Sequence, residues 1–195
     1  MGDEGALERV ARFCIQEAEV DRAVYLDADG ALERVVLKWA ERLAGPSPAD
    51  SELWTRAARR CLQATPAEIE AFVQAERERS ALRVLEALPS RRSRSVELLC
   101  GKLVVLVHDR ADLDEDDILP AAVLVFGNGA APMIRRVGSR WFLSPGALSS
   151  HGLMVLDELD DGIGLDLYHR DLTLDRSERL STWRGANLRV AERRR

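Results

Sequence analysis

The side chains of this 195-residue chain with chemistry to offer are three histidines, three cysteines and a dense set of carboxylates. Imidazole titrates near neutral pH and is the commonest metal ligand, so His108, His151 and His169 bound what the chain can do. They lie far apart and share no metal-ligand spacing, which argues against a histidine-rich metal site. His108 reads as a strand-end residue hydrogen-bonded locally. His151, in S-S-H-G, reads as a turn residue, and His169 as a surface residue closing a strand. Sequence order places no serine against any of them, so a Ser-His-Asp triad has no support. Cys14, Cys61 and Cys100 are odd in number and contain no C-x-x-C, the pattern of buried thiols in a reducing, cytoplasmic compartment.

Asp112-Leu113-Asp114-Glu115-Asp116-Asp117 begins like a calcium loop, but its sixth position is Asp117 rather than Gly and its twelfth is Val123 rather than Glu. A cap and first helical turn, with carboxylates facing the positive end of the helix dipole, is the simpler reading. Gly127-Asn128-Gly129 lacks the lysine and spacing of a phosphate-binding P-loop and reads as a tight turn. Of 28 basic residues 26 are arginine, and the net charge is −5. Arg91–Arg94, Arg135-Arg136 and Arg193–Arg195 give some positive surface without aromatic interleaving, so nucleic acid is not the expected partner. No apolar run approaches the roughly 18 residues of a membrane span.

These residues must be positioned by elements that the hydrophobic period reveals. Leu7, Val10, Ala11, Cys14, Ile15 and Ala18 trace one helical face, and Leu32, Val35, Val36, Trp39, Ala40 and Leu43 repeat it offset for offset. Between them Arg22–Asp27 reads as a buried strand. Gly45-Pro46-Ser47-Pro48 interrupts the chain. Leu53, Trp54, Ala57, Ala58, Cys61 and Leu62 then form a stripe that places Trp54, like Trp39, in a core. Thr65-Pro66-Ala67-Glu68 is a capping box opening a helix expected to reach Leu88 through Ile69, Phe72 and Val73. Residues 50–88 therefore read as a helical hairpin. From residue 95 the period becomes that of strands: 96–100, 103–107, 122–126, 133–137, 141–143, 153–156 and 163–168, with Asp161-Gly162 as a hairpin signal. The chain beyond about residue 172 is polar and reads as a loosely attached tail, with Trp183 a clip or a partner contact. One domain over 1–172 and a tail over 173–195 is the expected organisation.

The order of segments in the second half resembles the calcineurin-like metallophosphoesterases in their small one-domain bacterial form. It runs L-E-A-L-P (85–89), S-V-E-L-L-C-G-K-L-V-V-L-V-H-D (95–109), V-L-V-F-G-N-G-A-A-P-M-I (123–134) and W-F-L-S-P-G-A-L (141–148). V-Y-L-D-A-D-G (24–30) looks like the family's strand ending in G-D. The resemblance spans roughly residues 5–170 and implies an α/β sandwich with a mixed sheet, a helical hairpin insertion and antiparallel C-terminal strands. It also implies two divalent metals about 3.5–4 Å apart that clamp a phosphate and activate water.

Residue by residue, the family's ligand loops are mostly gone. Asp3 stands for the first aspartate with no histidine after it. Asp27 and Asp29 flank Ala28, where the bridging carboxylate is expected. Nothing in 30–94 matches G-N-H-[DE]. His108 is kept, followed by Asp109 in place of glycine, while Asn128 and Ala130 replace both histidines of the fifth loop. One imidazole with scattered carboxylates is a poor site for two metals, because affinity follows ligand count and convergence. The resemblance therefore implies a degenerate fold without catalysis, a cofactor-free binding or scaffold module with a protein partner or self-association. The rival is a residual phosphodiesterase using His108, Asp27, Asp29 and Asn128 with a metal such as manganese; a third reading is a nucleotide or phosphate sensor. The family's first strand has no counterpart in the sequence, and a strand supplied by another chain is one way to complete the sheet.

Overall fold

The computed structural model describes residues 4–149 and 152–181, and its contacts divide the chain at Ser93/Arg94 into two compact units. The single domain expected over residues 1–172 spans that boundary. Asp3, His151 and Trp183 lie outside the described residues.

The first unit is helical with two short strands: α1 (Glu4–Gln16), β1 (Ala23–Tyr25), α2 (Ala31–Ala44), α3 (Leu53–Cys61), α4 (Pro66–Ala81) and β2 (Leu85–Ala87). The repeated stripes of α1 and α2 meet each other. Ala11, Trp39, Ala40 and Leu82 form a buried cluster, with Ile15, Val36, Leu43 and Leu85 against it. The Arg12 guanidinium covers the Trp39 ring at 4.4 Å. Outside this core Glu4 pairs with Arg34 at 3.0 Å and Lys38 at 2.7 Å. The capping box at Thr65 forms as expected, with Glu68 Oε2 accepting the Thr65 N–H at 2.7 Å.

Two expectations for the hairpin fail. The helix expected to reach Leu88 ends at Ala81, because Leu85–Ala87 instead pairs in parallel with Ala23–Tyr25. The Leu88 N–H then donates to Tyr25 O at 3.1 Å, and its side chain is buried. Trp54 is not core: it is 81% exposed, and the buried residue of α3 is Arg56. That guanidinium donates to both Glu76 oxygens, at 2.7 and 2.9 Å, and to Ser47 O and Ala49 O. A buried charge must be fully paired, so this fork turns the Arg56 face inward and carries Trp54 outward.

The second unit holds a five-stranded mixed sheet in the order β3 (Arg94–Leu99), β4 (Lys102–Val107), β5 (Val123–Phe126), β7 (Arg140–Ser144), β6 (Met133–Val137). β4, β5 and β7 run parallel, and each edge strand is antiparallel to its neighbour. A strand covered on both faces reads as a continuous apolar run, and V-L-V-F of β5 is buried throughout. Helix α5 (Glu115–Ile118) crosses between β4 and β5, with Asp114 capping Asp117 N at 3.0 Å. Arg94 Nε donates to both Asp117 oxygens. The acidic run 112–117 is thus a cap, as its spacing implies.

A second sheet of this unit has the order β10 (Leu174–Leu180), β9 (Gly162–Tyr168), β8 (Leu153–Leu159), all antiparallel. Ile163, Leu165 and Leu167 alternate onto its buried face. The β8–β9 turn is Asp160-Asp161, since Gly162 already pairs with Leu159. The expected tail therefore begins as strand β10. Its polar residues face solvent, and Leu180 anchors it, fully buried. The mixed sheet, the helical hairpin and the closing antiparallel strands are the parts that the resemblance implies. No helix among the described residues is long and apolar enough to cross a membrane.

Candidate functional site

In a parallel sheet, functional loops gather at the carboxyl ends of the strands. The register Val107↔Phe126 brings the ends of β4 and β5 side by side, so His108-Asp109 adjoins Gly127-Asn128-Gly129. His108 is only 9% exposed, and its carbonyl accepts the N–H groups of Gly127 at 3.0 Å and Asn128 at 2.8 Å. The Asn128 amide donates to Asp109 Oδ2 at 2.5 Å. Asp109 Oδ1 accepts the Ala111 N–H at 2.9 Å. That backbone donor first, and Asn128 second, hold the Asp109 carboxyl below its ordinary range. Asp109 was seen in the sequence only as a lost glycine, yet it organises this loop.

The end of β7 closes on the same place. Ser144 is buried, and a Cβ added at Gly129 would lie 2.5 Å from its Oγ. A Cβ at Gly146 would lie 2.8 Å from Pro132 N. Gly127-Asn128-Gly129 is therefore a tight turn, as expected, and two of its N–H groups are already spent on His108 O.

Asp27 and Asp29 lie in the other unit, at the turn from β1 into α2. Asp27 Oδ1 accepts the Ala28 N–H at 2.8 Å and stands 3.8 Å from Arg91 Nε. Asp29 Oδ1 accepts the Ala31 N–H at 2.9 Å, in the first turn of α2. Burial, then the charges of Asp29 and Asp27, push the neighbouring Tyr25 hydroxyl up to about 12. Asp29 thus meets the first turn of α2, and Asp27 sits in the turn before it. His169 is a partly exposed strand-end residue with Nε2 3.2 Å from Asp175 Oδ1.

The metal pair implied by the resemblance can be tested against these groups. The second unit joins His108 and Asn128 at neighbouring strand ends; the first joins Asp27 and Asp29 in one loop. Among the described residues no three His, Cys, Asp or Glu side chains gather where they could hold a metal ion. Asn128 turns its donor nitrogen to Asp109, and each aspartate has an oxygen committed to a backbone N–H. Within either unit taken by itself, these groups are too few for a two-metal centre. All three cysteines are free, Cys14 buried and Cys61 and Cys100 only partly so. Burial pushes the Cys14 thiol up to about 11.

No family model and no curated protein sequence matches the chain. Several solved structures do. One is a conserved uncharacterized protein of Streptococcus pneumoniae, a predicted phosphoesterase: 16% identity over 93% of this chain and 92% of that one, TM-score 0.48. Another is a novel archaeal phosphodiesterase, at 9% identity over 90% and 92% of the two chains, TM-score 0.39. Zinc-bound Vps29 of Entamoeba histolytica matches at 20% identity over 50% of this chain and 61% of its own length, TM-score 0.36.

Proposed function

We propose that the chain is a non-catalytic binding or scaffold module, built on a calcineurin-like phosphoesterase fold whose hydrolytic site has been lost. One observation carries this reading: where the resemblance puts a metal-binding histidine, Asn128 donates to Asp109, and the N–H groups of Gly127 and Asn128 point at His108 O. The residues around the one retained imidazole hydrogen-bond to each other, as a settled loop does. A phosphate-cradling turn needs free backbone N–H donors, and those of Gly127 and Asn128 go to His108 O and that of Gly129 to Gly127 O.

The test is metal analysis of the purified protein, with bis-p-nitrophenyl phosphate turnover measured under added Mn²⁺. The expected result is substoichiometric metal and turnover no different from that of His108→Ala. Stoichiometric metal with activity abolished in His108→Ala would establish the residual hydrolase instead. A nucleotide panel is expected to leave the thermal midpoint unmoved, whereas a ligand at 100 times its dissociation constant would add about 2.7 kcal/mol.

A further inference from the structure

The helical hairpin of the first unit leaves unusual surface uncovered. α4 buries no residue at all, and Trp54, Leu62, Ile69 and Val73 are exposed along α3 and α4. Beside them a cleft of about 470 Å³ runs from the last turn of α2 between α3 and α4. Leucines, alanines and one phenylalanine form its apolar wall, with Leu43, Ala58, Leu62, Ala71, Phe72 and Ala75 among them. Its rim is basic. Arg59 and Arg60 line it, both are exposed, and among the described residues neither forms an ion pair. Arg56, deeper in, is spent on Glu76. The acidic lining residue, Glu68, has its carboxylate engaged by Thr65 N and Oγ1.

We propose that this cleft docks an acidic amphipathic helix of a partner protein. Leucine-sized side chains enter between α3 and α4, and carboxylates meet Arg59 and Arg60. The occupant's charge follows from two unpaired guanidinium groups at the mouth of an apolar cleft. Its conformation follows from the walls: α3 and α4 satisfy their own backbone groups and offer no strand edge. An occupant must therefore satisfy its own N–H and C=O groups, which a helix does. The chain's own residues 182–195 carry five arginines and one glutamate, and their charge has the wrong sign for this rim. The proposal supplies a partner class for the binding role argued above, but it stands on different residues. Phosphodiester turnover would remove that role and leave the cleft untouched, and failure of docking would do the reverse.

The probe is a labelled peptide with leucines on one helical face and glutamates elsewhere, titrated by fluorescence anisotropy into the full chain. Two control peptides carry lysine for glutamate and alanine for leucine. The acidic peptide is expected to bind, more weakly as salt rises, and both controls to bind at least about tenfold more weakly. The double variant Arg59→Glu/Arg60→Glu should lose the acidic peptide and gain the basic one while staying folded, its thermal midpoint lowered only by the small cost of placing two carboxylates in the last turn of α3. Leu62→Asp should weaken binding of the acidic peptide without reversing the charge preference. Equal binding of acidic and basic peptides, no binding of either, or binding indifferent to all three substitutions would overturn the proposal. So would sedimentation showing a dimer of the free chain that Leu62→Asp dissociates, since the cleft would then belong to a second copy.

Discussion

At the scale of single residues the second unit is tightly constrained where three strand ends meet. Gly129 has ordinary backbone angles, so its glycine is required by space and not by conformation. An alanine there would put its Cβ against the Oγ of Ser144, which sits 1% exposed and accepts the Gly146 N–H. Gly129→Ala should therefore cost about 1–3 kcal/mol in denaturant unfolding. Adding Ser144→Ala removes the offending oxygen, leaving its Cβ at 3.5 Å, and should recover much of that loss. Additive costs would mean that the two residues do not meet. The sequence identified Gly127-Asn128-Gly129 as a turn, because glycine and asparagine punctuate any strand pattern. It was silent on Ser144, which is 15 residues away and looks like any polar residue before a proline. Asp109 was hidden for a similar reason: its role depends on Asn128, and a parallel pairing brought them together.

The elements of the first half show where periodicity stops being informative. The stripes of α1 and α2 led to the right core because each helix has one apolar face and another such face to cover it. α3 carries an equally good stripe, yet the buried pair is Arg56 with Glu76, their side chains 7% and 11% exposed. A desolvated pair costs little while intact but much when half of it is removed. Glu76→Ala, which also deprives Arg79 Nε of its 2.6 Å acceptor, should destabilise by about 3–5 kcal/mol in equilibrium unfolding. Replacing both Arg56 and Glu76 by methionine should come out closer to wild type than Glu76→Ala alone. The opposite order would show that the pair itself, rather than the orphaned guanidinium, holds α3 to α4. Strand β2 looks like helix in the sequence for a related reason. L-R-V-L-E-A-L has no stop signal before Pro89, and only the presence of β1 gives Leu85–Ala87 a ladder to join.

Across the whole molecule the charge bookkeeping is lopsided, and its pH dependence should be too. Asp50, Glu76 and Asp117 are all held below the ordinary carboxylate range, first by hydrogen bonds from Arg79, Arg56 and Arg94 respectively. For a group whose folded pKa is depressed, the unfolded chain binds more protons at low pH, so stability rises with pH. Their contribution is fully present above the unfolded carboxylate values of about 4 and is lost as pH falls through the depressed ones. The midpoint of thermal unfolding should therefore hold steady at neutral pH and drop steeply on acidification below about 4. Asp117→Asn should weaken that acid dependence, and an acid profile identical to wild type would discount the Arg94–Asp117 pair. With 26 arginines against 2 lysines, these pairs do not lose their cations to base in any ordinary range. The mixed sheet with its closing antiparallel strands was implied by the family resemblance. What the sequence determined by itself was local: the apolar faces of α1 and α2, the strand runs of the second half, the caps at Thr65 and in the acidic run 112–117, and the scarcity of imidazole. Those depend on neighbours a few residues away, where propensity, periodicity and hydrogen-bond geometry decide. Only the tertiary structure decided that Asn128 serves Asp109, that Arg56 displaces Trp54 from the interior, and that the polar end of the chain begins as a strand on β9. Each of these depends on a partner distant in sequence, and no local preference encodes which partner will arrive.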